Sequence, residues 1–463
     1  MPVFKSSDRS PVISGSILKS GYLKIRVTRV GKDTTLSQVI ELVRYAQMSK
    51  PRLQRLVDRI SGYFTWLVMF LSIAAFIYGY FLIHVDLSLA LIFSVATLVT
   101  ARPCALGIAT PIVVYVGVGK ASELGFIIKI KNIDVIEDLP KVDVVAFDKT
   151  GTLTEGRPEV TKIIALNGVD ERSLIKYVCS AEKRSEHPLS KAIVKKSSEL
   201  LNNSCRDPQT YVSISGQGVM ATVDEVEVLV DNEDLMEGFD VKIPDEVVSL
   251  ANVERNNGNT VIYVAFNRSV SGLIVLTDEL KEGVEEVIKY LKEVRKVKTV
   301  IITGDNRVTA KAIASKLGVD EVYYEVKPDD KVEVIEEIQS RGLKVAMVGD
   351  GINDAASISK ANVGIAVGSG SDIAKESGDV ILVSEDLRNL INIFKLSDLL
   401  RRKIFFNIMW AFMYNLALLP IAMGLFYPSL GLMIKPEYGA LAMVLSDISV
   451  ISYALTLRKW RPK

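Results

Sequence analysis

The chain has 463 residues, 49% of them hydrophobic and 24% charged, with a formal net charge of +1. That length allows about three domains, and the balanced charge, with no aromatic residues interleaved among basic clusters, excludes nucleic acid as a partner. The 3 cysteines, none in a CxxC pair, argue against a disulfide framework and against a zinc module, and no signal-peptide pattern opens the chain.

From the amino end, Ser14 to Lys19 and the alternating run Tyr22 to Val30 read as β structure. Asp33-Thr34-Thr35-Leu36 opens an amphipathic helix with Leu36, Val39, Ile40 and Val43 on one face. Four segments are then long and apolar enough to span a bilayer: about Ser61 to Ile83, Leu87 to Gly119, Ile404 to Phe426 and Tyr438 to Leu457. Their connections His84-Val85-Asp86 and Tyr427 to Glu437 are short. The opposite ends carry Lys50, Arg52, Arg55 and Arg59, then Arg401, Arg402 and Lys403, then Arg458, Lys459, Arg461 and Lys463. That asymmetry predicts a multi-pass protein of the cell membrane with both termini and the large central loop in the cytoplasm.

The second span contains Arg102-Pro103-Cys104. A proline inside a spanning helix frees backbone carbonyls and commonly marks an ion site. The Cys104 thiolate suits Cu(I) or Zn(II), whereas simple burial of the cysteine is the competing reading. A guanidinium cannot ligate a cation, so Arg102 at membrane depth calls for a partner, and Asp447 is the acid proposed for it.

The central region opens on Val142 to Phe147, an apolar β-branched run that reads as a buried parallel strand. It ends in Asp148-Lys149-Thr150-Gly151-Thr152-Leu153-Thr154, a carboxylate at a strand exit with oxygens and amide donors crowded around it. That setting suits an aspartate attacking phosphorus. Two further strands end alike: Lys298 to Ile302 leads into Thr303-Gly304-Asp305-Asn306, and Lys344 to Val348 into Gly349-Asp350-Gly351-Ile352-Asn353-Asp354. Asp148 is read as the nucleophile, and Thr303 with Gly304 as the grip on the phosphoryl oxygens. Asp350 and Asp354, with Asp148 and Thr150, offer hard oxygens for Mg²⁺. Lys331 neutralises phosphoryl charge. Lys149, Asp305 and Asn353 complete the candidate catalytic set.

Between the first and second of these strands lies an insertion, roughly Arg157 to Val275, too long for a simple crossover. It carries Glu182, Ser185-Glu186-His187-Pro188-Leu189 at a helix, and Gly216-Gln217-Gly218. Gly216 to Ala221 is not a dinucleotide fingerprint, because Thr222 to Val230 alternates like a strand where a helix is required. No Gly-x4-Gly-Lys-Ser/Thr occurs, which excludes a P-loop enzyme.

Asp-Lys-Thr-Gly-Thr, Thr-Gly-Asp-Asn and Gly-Asp-Gly-Ile-Asn-Asp, with Thr277-Asp278-Glu279-Leu280-Lys281 as a hinge pattern, resemble a heavy-metal (type IB) P-type ATPase. The resemblance covers essentially the whole chain and implies a multidomain α/β protein with membrane helices. Its haloacid-dehalogenase-like phosphorylation domain would comprise residues 120–156 and 276–400, with an α+β nucleotide domain inserted at 157–275. A linker helix and two transmembrane helices would fill 46–119, two more transmembrane helices 401–463, and a partial β-rich actuator domain 1–45.

By that resemblance Glu182 and His187 contact the adenine of ATP, and Gly216 and Gly218 let the backbone approach the nucleotide. One departure is Asp231 before Asn232, where the family has glycine. Tyr414-Asn415 with Pro420, and Met443 with Ser446, resemble the copper pumps' patterns. Cys104, Tyr414, Asn415, Met443 and Ser446 are therefore the expected ligands of a transported metal, Cu(I) first. Arg102, Asp447 and Tyr453 depart from those patterns.

The family's dephosphorylating Thr-Gly-Glu-Ser lies just before a Pro-Val like Pro2-Val3. The expectation is accordingly a chain lacking that motif, the early helices and any amino-terminal metal-binding domain, whether from a late gene start, a broken gene or a deliberate short form. Function is read as ATP-driven Cu(I) export through an aspartyl phosphate on Asp148, with Mg²⁺ and ATP as cofactors. The bilayer, the metal or its metallochaperone, and a separate chain supplying the missing parts would be partners. A transport-incompetent ATP-binding remnant or accessory subunit, a pump for Zn(II), Cd(II) or Co(II), and a freestanding phosphatase are the alternatives.

Overall fold

A computed structural model describes residues 52–101, 104–129, 134–185, 187–201, 205–214, 217–350, 354–368 and 377–462. The expected actuator segment 1–45 lies outside the described residues. The chain divides into two compact units, Met1–Pro140 with Asn392–Lys463, and Lys141–Ile391.

In the first unit, 3 helices are long and apolar enough to cross a membrane: Val57–Leu82, Asn389–Ala422 and Pro436–Lys459. The expected second span is instead two helices, Leu87–Thr100 and Cys104–Glu123. The first of them ends at Ala101, whose φ of −88° and ψ of 20° leave the helical path, and in the sequence Arg102-Pro103 follows at once, a proline that disfavours helical geometry in the residue before it. The Asp86 carboxylate caps the first of the pair by accepting from Leu89 N at 3.2 Å. Trp66, Phe70 and Leu416 are mostly exposed, as side chains facing lipid would be. Small residues let the helices close on one another: a Cβ at Gly117 would strike Leu400, and one at Gly439 would strike the Thr100 hydroxyl.

The second unit holds two sheets. The parallel one is built from β1 (Val144–Asp148), β8 (Lys298–Ile302), β9 (Glu321–Tyr323), β10 (Val345–Gly349), β11 (Val363–Val367) and β12 (Val380–Leu382), in the order β12-β11-β10-β1-β8-β9. Every residue of β1 and β10 is buried, as strands covered on both faces require. One face packs Val144, Ala146, Val300, Ile302 and Met347 against Val334, Ile335 and Ile338 of the helix Lys331–Ser340.

The insertion is an antiparallel sheet of β2 (Glu159–Ala165), β3 (Thr210–Ile214), β4 (Gly218–Val223), β5 (Val226–Asp231), β6 (Thr260–Phe266) and β7 (Ser269–Thr277), ordered β2-β7-β6-β5-β4-β3. The helices Glu171–Glu182 and Pro188–Leu201 cover one face, and Glu233–Gly238 and Asp245–Asn256 the other. The run Thr222 to Val230 is a hairpin rather than one strand. Asp224 and Glu225 take φ of 49° and 68°, the left-handed pair of a tight two-residue turn.

A further expectation is overturned. Cys179 and Cys205 form a disulfide, their Cα atoms 5.7 Å apart. The sheet and its two covering helices bring together cysteines that no spacing rule pairs.

Candidate active site

The parallel sheet places Asp148, the candidate nucleophile. Phe147 pairs with Val348 and Asp148 with Ile302, so the next residues of the flanking strands, Gly349-Asp350 and Thr303, emerge beside Asp148. This is the crevice beyond the strand carboxyl ends, on both sides of the central strand. Lys331, the first residue of its helix, reaches in and donates to Asp148 Oδ1 at 2.5 Å and Asp354 Oδ1 at 2.6 Å. Asp148, Lys331 and Asp354 are all buried. Burial, then the Asp354 charge, pushes the Asp148 carboxyl up to about 7 against the pull of Lys331. Burial also works against the Lys331 ammonium, but the two facing carboxylates outweigh it and hold its pKa above the ordinary value.

The remaining residues order the loop. Lys149 Nζ pairs with Asp305 Oδ2 at 2.5 Å. Thr303 Oγ1 donates to Asp305 Oδ2 and accepts from Asp305 N, both at 3.1 Å. Asn306 caps the helix Arg307–Leu317 by accepting from Thr309 N. A Cβ at Gly304 would make only ordinary contact, at 3.5 Å from the Val326 carbonyl, so the loop has room there. Gly151 has φ of +74°, and a Cβ there would stand 2.8 Å from Asp350 Oδ2, so glycine alone lets the loop close on that acid. Thr150 is exposed at the mouth. Asn353 lies outside the described residues.

Sequence reasoning quoted Lys281 only as part of a hinge. It is buried, and its Nζ donates to the Gly151 carbonyl at 2.5 Å. Around it the two linkers of the insertion run side by side: Glu155 N donates to the Glu279 carbonyl and Lys281 N to the Leu153 carbonyl, each at 2.9 Å. Burial lowers the Lys281 pKa, opposed by the surrounding acids Glu385, Glu155, Asp350 and Asp278. Its signal in the sequence was a basic residue closing an acidic hinge.

Among the described residues Asp354 Oδ2 and Thr152 Oγ1 are buried with no hydrogen-bond partner. An orphaned carboxylate oxygen beside a half-buried Asp350 fits a hard cation, and Mg²⁺ usually takes one or two carboxylates together with substrate phosphate and water. Among the described residues no trio of His, Cys, Asp or Glu converges to hold a metal by itself. The Lys331 ammonium stands between Asp148 and Asp354 instead.

In the insertion, Glu182 is buried at its helix end, and its Oε2 accepts from Ser190 Oγ at 2.7 Å. Burial raises its pKa against that bond and one from Ser185. His187 is exposed, and its Nδ1 accepts from Leu189 N at 3.4 Å. Gly218 pairs in register with Asp231. Gly216 lies outside the described residues.

In the membrane unit, Asn415 Nδ2 donates to the Ala411 carbonyl at 3.2 Å, while its Oδ1 is buried and, among the described residues, unpartnered. Among the described residues Ser446 Oγ, Asp447 Oδ1 and Thr100 Oγ1 are unpartnered as well. Met443 is half-buried, and Tyr414 is engaged in an interaction of its own. Arg102 and the Cys104 side chain lie outside the described residues, and with them the Arg102–Asp447 pairing.

A haloacid dehalogenase-like hydrolase family model matches residues 142–362. The chain is 45% identical over its full length to a probable copper-exporting P-type ATPase of Archaeoglobus fulgidus, covering 56% of that protein. It is 41% identical, again over its full length, to a silver exporting P-type ATPase of Salmonella typhimurium, covering 55% of it. It thus spans little more than half the length of these relatives. A crystal structure of a zinc-transporting PIB-type ATPase in the E2.Pi state aligns with 92% of the chain at TM-score 0.68 and 31% identity, with 68% of that structure covered.

Proposed function

The chain belongs to the PIB-type, heavy-metal branch of the P-type ATPases, and from that premise we propose that it carries the phosphorylation and membrane machinery of an ATP-driven Cu(I) exporter. The observation that carries this reading is Asp148 held at the end of β1 by Lys331, which Asp354 shares. A carboxylate oxygen of Asp148 attacks the γ-phosphorus of ATP, the bond to the oxygen bridging the β-phosphorus breaks, and ADP leaves. Thr303, Gly304 and Lys331 receive the charge carried by the transferred group, which positioning and electrostatics stabilise in this class of reaction. Mg²⁺, when held by Asp350, Asp354 and phosphate oxygens, adds charge neutralisation. Glu182, His187, Gly216 and Gly218 hold the nucleotide, and the catalytic unit faces the cytoplasm.

Cu(I) is favoured by the copper- and silver-exporting relatives and by the soft donors Cys104 and Met443. The unpartnered oxygens of Asn415, Ser446 and Asp447 favour a second reading, a divalent ion such as Zn(II), which the zinc-transporting structural neighbour also suggests. The test is phosphoenzyme formation from labelled ATP by the chain in lipid, stripped of metal and then given Cu(I) or Ag(I) under reducing conditions, or Zn(II). Stimulation by the monovalent ions alone is expected. Stimulation by Zn(II) alone establishes the second reading, and no labelling under any condition refutes both.

A further inference from the structure

Asp231 stands where β5 ends, directly opposite Gly218 of β4. Its φ of 142° lies in the region that favours glycine, so a side chain is held there against backbone preference. Strain of this kind persists where a ligand site uses the residue. A Cβ on Gly218 would collide with Asp231 Cβ and with the Val230 carbonyl, so the aspartate covers the Gly218 backbone. Among the described residues its carboxyl has no hydrogen-bond or ion-pair partner, and the one charge acting on it is Glu182. Tyr263, paired in register with Asp231, and Arg255 both face Glu233, although the buried Arg255 Nε has no partner among the described residues. Arg255 pairs with Glu233 at 2.9 Å and lies over the Tyr263 ring, and Tyr263 donates to Glu233 at 2.6 Å.

We propose that Asp231 reads the adenine base, its protonated carboxyl donating O–H to N1 and accepting from the N6 amino group. This rests on the reading of Glu182, His187 and Gly218 as the nucleotide groove. The Watson–Crick edge of adenine presents one acceptor beside one donor, which a neutral carboxyl matches in both positions. Guanine presents two donors at N1 and N2, which match a carboxylate instead. Burial and the Glu182 charge push the Asp231 carboxyl up to about 7. The adenine-matching form is therefore present below that pH and lost as pH rises through it. His187 changes charge on the acid side, because the groups around its solvent-reached ring partly desolvate the imidazole and hold it below the ordinary value.

The experiment is calorimetric binding of non-hydrolysable ATP and GTP analogues to the full chain in lipid nanodiscs from pH 6 to pH 8.5, with Asp231→Asn, Asp231→Gly and His187→Ala. Affinity scales with the fraction of the competent form, so the wild type should bind the ATP analogue about tenfold more weakly at pH 8 than Asp231→Asn does, with the two equal near pH 6. The amide of Asp231→Asn always offers a donor beside an acceptor. Comparing variants at each pH also cancels titration of the phosphates and of His187. The ATP-to-GTP preference should narrow with rising pH in the wild type only, and Asp231→Gly should bind the ATP analogue more weakly than Asp231→Asn at every pH. Coincident profiles for the wild type and Asp231→Asn would overturn the proposal, as would equal weakening of both analogues. If those profiles coincide while His187→Ala still weakens binding, base reading alone fails. If His187→Ala changes nothing at any pH, the groove reading fails with it.

Discussion

Lys331 Nζ and Asp148 Oδ1 lie 2.5 Å apart in a buried pair, with Asp354 Oδ1 on the other side of the same ammonium at 2.6 Å. One cation thus compensates both the proposed nucleophile and a candidate metal ligand. Lys331→Met keeps the stem and removes the charge, leaving two acids to face each other. Loss of one partner of a buried pair typically costs about 3–5 kcal/mol, and loss of a preorganised charge at the transferred group about 10²–10³ in rate. Both should appear, as an earlier denaturation midpoint and slower labelling by ATP. An unchanged labelling rate would remove Lys331 from the chemistry.

Asp148→Asn replaces the attacking carboxylate with an amide that has no nucleophilic oxygen. The acid-stable, hydroxylamine-labile adduct formed from labelled ATP should disappear while the nucleotide analogue still binds within about twofold, since a group acting only in the chemical step leaves ground-state binding alone. Adduct persisting in this variant would place the phosphoryl group elsewhere.

Lys281 ties the hinge to the loop that presents Asp148, through the Gly151 carbonyl. Lys281→Met should free that loop. A misplacement of the reacting groups by about 1 Å is enough for a loss on the order of 10² in rate. Slower phosphorylation with unchanged analogue affinity is the signature of lost positioning. Equal losses in both would make Lys281 a general folding residue.

The cluster of polar residues at the strand ends was legible because it is local in sequence: apolar strands Val144–Phe147, Lys298–Ile302 and Val345–Val348 each run straight into their polar residues, and a parallel sheet gathers strand ends by construction. Hydropathy alone read Leu87 to Gly119 as one span, since averaging over a window hides the helix end at Ala101. The Lys281 contact crosses 130 positions of sequence and the disulfide 26, and neither has a periodicity to betray it. Asp231 stood out as an extra acid, but its positive φ and its place over Gly218 are properties of the β4–β5 pairing.

The Cys179–Cys205 bond closes a 26-residue separation in the insertion and should stabilise it by about 2–4 kcal/mol by restricting the unfolded chain. Reductant should lower the denaturation midpoint of the wild type and leave that of a Cys179→Ser, Cys205→Ser double variant unchanged. A midpoint indifferent to reductant in both proteins would show that the link contributes nothing to stability.

Asn415 offers the clearest separation of a structural role from a transport role in the membrane unit. Its Nδ2 is spent on the Ala411 carbonyl of its own helix, and its buried Oδ1 has no partner among the described residues. Replacing such a group by an apolar side chain of similar volume should be close to neutral for stability, because an unmet acceptor already bears its desolvation cost. Asn415→Leu should therefore leave the denaturation midpoint and nucleotide-analogue binding near the wild-type values. If the oxygen is kept for a cation, the same variant should lose metal stimulation of phosphorylation by about tenfold or more, the equivalent of a ligand worth at least 1.4 kcal/mol. Ser446→Ala, which removes a second unpartnered oxygen from the neighbouring helix, should act in the same direction. Full metal stimulation in both variants would mean that the cation passes without these oxygens.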